Sequence, residues 1–147
     1  MLKVSMVKRL PGMCDTQQDL HMLLSQAAEH FRIYLNECGY KLVDTPILED
    51  AELFVRKSGV ELTRHMFTFV DTEGRRVTLR PEFTSSVIRH FIEQSDRETL
   101  PVRWQYSGPV FRYQPGNDAQ YKQFNQVGAE FLGPGGVAAD AEVVSTA

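Results

Sequence analysis

The sequence predicts an α+β fold, a mostly antiparallel sheet flanked by helices, on three observations. The first is the stretch from Tyr106 to Gly133, YSGPVFRYQPGNDAQYKQFNQVGAEFLG. Two apolar, aromatic-rich runs there flank a polar loop, Gln114 to Gln120, that holds Pro115, Gly116, Asn117 and Asp118. Strand, turn chemistry and strand in that order make a long antiparallel hairpin. The second is a shorter hairpin pattern, Met66–Val70 and Arg76–Leu79 around Thr72-Glu73-Gly74. The third is a set of apolar stripes at three- and four-residue steps, the period of helices packed on one face.

Residues 1–15 read as an irregular arm with a turn at Pro11-Gly12, and the core runs from 16 to 147. A helix is expected from about Thr16 to Cys38, because Leu20, Leu23, Leu24, Ala27, Phe31, Tyr34 and Leu35 fall on one stripe. Gly39 stands where a C-terminal cap belongs. Tyr40 to Thr45 reads as a strand stopped by Pro46, and Glu52 to Lys57 as a short helix. After the second hairpin, Thr84 opens a helix to about Gln94, with Val87, Ile88, Phe91 and Ile92 inside. Val102 to Tyr106 is read as a further strand leading to the long hairpin. A last helix begins near Ala138 and is still running at Ala147, which predicts the front portion of a larger domain, incomplete at its C-terminus.

At 147 residues there is material for one domain with a real core. A net charge of −3 gives this segment no electrostatic reason to bind nucleic acid by itself. Cys14 and Cys38 are the only cysteines, too few for a disulfide framework, so a reduced, cytoplasmic protein is expected. Cys14 is expected to be a small buried or half-buried thiol. His21, His30, His65 and His90 lack metal-ligand spacing, so no metal site is predicted. The basic start, MLKVSMVKRLPG, is too short in apolar residues for a signal peptide or a membrane span.

Chemistry concentrates on the second strand of the long hairpin. Lys122, Phe124, Gln126, Gly128 and Glu130 alternate onto one face. Such a face is poor core and a good floor for a small polar ligand. The neighbouring aromatics Tyr106, Phe111, Tyr113 and Tyr121 read as sheet packing rather than ligand contacts.

The order of a long helix, GYKLVDTPILE (39–49), a hairpin, TLRPEFT (78–84) and FRYQPGNDAQYKQFNQVGAEFLG (111–133) resembles the catalytic core of class II aminoacyl-tRNA synthetases. Within them it is similar to the histidyl-tRNA synthetase-like family, over nearly the whole chain, and TLRPEFT is the most specific piece. The resemblance implies a homodimer formed through the 16–46 region. It also implies that Glu82, Thr84, Gln126 and Glu130, with Arg112, hold a histidine. An ammonium needs carboxylate and amide oxygens, and an imidazole N–H needs a fixed acceptor such as Glu130.

In the ATP half, Arg112 matches the family arginine on the α-phosphate and substrate carboxylate, and Phe124 the aromatic that stacks on adenine. This chain departs from the ligases at Gln114, where they have Glu, and at Gln120, where they have Arg. Ala119 replaces the hinge glycine, Lys122 replaces a second Arg, and the loop's Arg-Pro has become Pro115-Gly116. Fixed positive charge offsets charge developing on a phosphate, and one lost donor costs on the order of 10²–10³ in rate. The resemblance therefore implies first a paralogue without ligase activity. That is the regulatory subunit of ATP phosphoribosyltransferase in histidine biosynthesis, which senses histidine, holds no tight cofactor and pairs with the catalytic transferase subunit. The alternative is a histidine–tRNA ligase that takes ATP with magnesium and charges tRNA. A third reading, from another class, is a non-catalytic interaction domain that has lost the ligand.

Overall fold

The computed structural model describes residues 7–56, 64–113, 122–133 and 135–146. The long first helix α1 spans Gln18–Glu37. It stops at a glycine with φ +87°, Gly39, where an L side chain is strained, and Tyr40 N–H donates back to Leu35 O. Strand β1 follows at Lys41–Leu42 and β2 at Leu48–Asp50, and residues 51–56 form the helical turn α2. The short hairpin is β3, Phe67–Val70, and β4, Arg76–Leu79. Helix α3 spans Thr84–Gln94, the long hairpin is β5, Val102–Phe111, and β6, Gln123–Leu132, and α4 closes at Val137–Thr146.

The strands form two three-stranded sheets, ordered β1-β5-β6 and β2-β4-β3. Among the described residues only the β1–β5 pair is parallel. The main core lies between α3 and one face of β5: Phe83, Val87, Val102, Trp104, Tyr106 and Val110, with Phe124 and Leu132 of β6 packed against it. Burying six such side chains contributes on the order of 10 kcal/mol before the entropy of ordering is set against it.

Four elements differ from the sequence-based expectation. Val102–Tyr106 is not a separate strand, because β5 runs unbroken for ten residues into the long hairpin. Its backbone pairs with β6 from Val102↔Leu132 to Phe111↔Gln123, so nothing interrupts the ladder at Tyr106. The strand expected at Tyr40–Thr45 narrows to two residues, where β1 touches β5 in parallel. Leu48–Asp50 is an unforeseen strand, made by pairing with Leu79–Val77 rather than by its own propensity. Finally, the α1 stripe is not core. Leu20, Leu23, Leu24 and Tyr34 are exposed and only Leu35 is buried on that helix. The loop Gln114–Gln120, Tyr121 and the Lys57 end of the expected short helix lie outside the described residues. Cys14 is exposed, not buried.

Candidate functional site

The site grows from the register of β5 against β6. Trp104, Tyr106, Gly108 and Val110 stand opposite Glu130, Gly128, Gln126 and Phe124, so all eight share the face under α3. Strand rise puts Glu130 and Phe124 roughly 20 Å apart along that face, room for two ligand groups end to end.

At the Glu130 end four polar groups converge. The Tyr106 hydroxyl donates to Glu130 Oε1 at 3.3 Å. Burial pushes the Tyr106 phenol up to about 12, helped by the carboxylates of Glu130 and Glu82, while a hydrogen bond with the Thr84 hydroxyl acts the other way. Glu82 sits at the start of α3, and its Oε1 accepts the Ser85 N–H at 3.0 Å. A carboxylate there answers an unpaired first-turn donor and the positive end of the helix dipole. Glu82 is therefore partly structural, with lone pairs left over. Gln126 lies further along the same face, and its Oε1 is buried without a hydrogen-bond partner. An orphaned buried acceptor of this kind calls for a donor from a ligand or water.

At the other end, Arg112 donates from Nε to Pro81 O at 2.9 Å, and its guanidinium lies 5.2 Å from the centre of the Phe124 ring. Among the described residues its two terminal nitrogens have no hydrogen-bond partner. They can take an anion bidentately, as a phosphate or carboxylate requires. Lys122 immediately precedes β6, its N–H donated to Gly12 O, with its ammonium 5.3 Å from the Tyr113 ring centre. Thus Glu82, Thr84 and Glu130 surround the Tyr106 hydroxyl, Gln126 lies further along the same face, and Arg112 and Phe124 form a pair at the far end. Gln114 and Gln120 fall outside the described residues.

Two residues escaped the sequence reading. Tyr106 was read as packing, yet its hydroxyl donates to Glu130. The period-two register with Glu130 was the signal that could have found it. Arg80 is 2% exposed, reaching Pro109 O and Thr45 O and lying 3.8 Å over the Phe83 ring. A charged residue between Leu79 and Pro81 carries no sign of burial in sequence alone. Among the described residues no group of three or more His, Cys, Asp or Glu could hold a metal ion, and no helix is long and apolar enough to cross a membrane.

Comparison with known proteins bears on this geometry. The family described as histidyl-tRNA synthetase matches residues 12–147. The chain is 42% identical over 109 residues to a histidine–tRNA ligase of Methanocorpusculum labreanum, covering 74% of this chain and 27% of that protein. Among solved structures, a Bacillus halodurans protein described as an ATP phosphoribosyltransferase regulatory subunit/histidyl-tRNA synthetase superposes with a TM-score of 0.86 at 27% identity, over 99% of this chain and 37% of that one. Apo histidyl-tRNA synthetase of S. aureus gives 0.80 at 31% identity, over 96% and 33%. The chain spans about a quarter to two-fifths of the length of these proteins. Motif order, sheet register and these similarities agree: the chain belongs to the histidyl-tRNA synthetase family.

Proposed function

We propose that this chain is the front part of the amino-acid-activating core of a histidine–tRNA ligase. The observation that carries the reading is the 42% identity over 109 residues to a relative bearing that name. That weight reverses the order expected from the altered ATP loop. In this reading histidine is held at the Glu130 end. Its ring N–H donates to Glu130 and its ammonium to the oxygens of Glu82 and Gln126, while Thr84 acts through Tyr106. ATP, with magnesium as part of the substrate, lies towards Arg112 and Phe124. Arg112 offsets charge at the α-phosphate as the histidine carboxylate attacks it, the α–β phosphoanhydride bond breaks and pyrophosphate leaves. The protein acts in the cytoplasm on tRNA. It dimerises through the 16–46 region, which would cover the exposed Leu20, Leu23 and Leu24 of α1.

A second reading, the non-catalytic regulatory subunit assembled with the catalytic ATP phosphoribosyltransferase subunit, is favoured by the loop composition at Gln114, Ala119, Gln120 and Lys122. The Bacillus halodurans neighbour, whose description carries both names, keeps it in view. Histidine-dependent ATP–pyrophosphate exchange on the longest natural reading frame containing this sequence separates the two. Exchange at synthetase-like rates is expected. Histidine binding without exchange would move the assignment to the regulatory subunit, with histidine-dependent inhibition of the transferase complex as the next measurement.

A further inference from the structure

Glu130 has two carboxylate oxygens on a side chain whose terminal torsion is intrinsically broad. A ligand N–H would meet a blurred acceptor unless something fixed that torsion. One described side-chain hydrogen bond reaches the carboxylate, from the Tyr106 hydroxyl to Oε1. Tyr106 is itself clamped. Its ring stacks on Phe83 with centroids 4.5 Å apart and planes 10° from parallel. The Arg80 guanidinium lies 3.8 Å from the Phe83 centroid, extending the stack by one layer. Beneath the ring is Gly128, where a Cβ would stand 2.5 Å from the Tyr106 oxygen and 2.6 Å from Cζ. The ring therefore cannot tilt towards β6, and only glycine at 128 lets it lie there. The hydroxyl is placed in turn on Glu130.

We propose that Tyr106 is a positioning residue of the amino-acid pocket: by donating to Oε1 of Glu130 it fixes that carboxylate and leaves Oε2 for the ring N–H of the ligand. The inference rests on the histidine reading of the pocket and deepens it. It applies equally to the ligase and to the regulatory subunit, because it concerns binding.

The test is histidine affinity, measured by titration calorimetry on the longest natural reading frame, for wild type, Tyr106→Phe, Glu130→Gln and the double variant. Tyr106→Phe keeps the ring and its stack, and unfolding curves on the same samples report the folded fraction. The expected result is about ten-fold weaker binding for Tyr106→Phe. In the Glu130→Gln background the same change should add less than about two-fold, because the two act through one contact. Wild-type affinity in Tyr106→Phe, or losses that multiply in the double variant, would overturn the positioning role and leave the histidine pocket standing. So would a loss accounted for by a smaller folded fraction. A wild type that binds no histidine would overturn the pocket reading and this inference with it.

Discussion

Arg80 and Arg112 are anchored in the same way and left to do opposite things. Each donates its Nε at 2.9 Å to a proline carbonyl on the other's segment: Arg80 to Pro109 O, Arg112 to Pro81 O. With Phe111 N–H donating to Arg80 O, these bonds staple the TLRPEFT segment to the end of β5. The difference lies in the remaining nitrogens. Arg80 Nη1 donates to Thr45 O at 2.6 Å, with Asp44 3.7 Å away, and burial holds its guanidinium below the usual arginine value. Arg112 keeps its terminal nitrogens clear of described side chains, beside Phe124. One arginine completes the interior and the other keeps the rest of its fork open beside Phe124. Residue type alone does not distinguish them; the partners of the fork do.

The largest effect that would sharpen this contrast is on stability. Arg80→Leu leaves Pro109 O and Thr45 O without their donor, and should cost roughly 2–5 kcal/mol, read from the urea midpoint. A cost below about 1 kcal/mol would mean water reaches that cradle. Arg112→Ala should cost about 1 kcal/mol or less in stability. If the chain is a ligase, the same change should slow pyrophosphate exchange by about 10²–10³. Equal stability losses at the two arginines would erase the distinction between them. Gly128→Ala probes the layer beneath Tyr106 and should cost roughly 1–3 kcal/mol through overpacking, with weaker histidine binding; a neutral change would show that the ring can move.

The smallest effect is on pH dependence, where α4 meets β5. Arg103 holds the Glu142 carboxyl below its ordinary value of 4.5, through a two-pronged hydrogen bond. A lowered folded value means this contribution is fully present above pH 4.5 and fades as pH falls through the lower folded value. Glu142→Gln should flatten the acid limb of a stability–pH curve by a small amount, since the pair is partly exposed. An unchanged acid limb would show that the pair does not contribute.

Much of the scaffold was legible because its signals are local. The helices Gln18–Glu37 and Thr84–Gln94 follow apolar periods of three and four, and Gly39 ends the first with a positive φ. The two hairpins follow alternation and turn residues, and alternation also put Gln126 and Glu130 on one face. What was missed depends on distant partners. Leu48–Asp50 is a strand because β4 is there to pair with it. The α1 stripe has the pattern of a core helix, yet Leu20, Leu23 and Leu24 remain exposed. Periodicity reports that a face is apolar, not what lies against it.

The sequence by itself determined the long helices, the two hairpins, their alternation and the family, since each is written in residues close together in the chain. Tertiary structure decided which charged and aromatic residues are locked into the interior and which keep polar atoms open on the β5–β6 face. Tyr106 became a donor to Glu130 because register sets it opposite Gly128, the one residue with no side chain to displace it. Arg80 became interior because Thr45 and Pro109, far away in sequence, bring their carbonyls to it. A side chain's role follows from its partners, and those partners are assembled only by the folded chain.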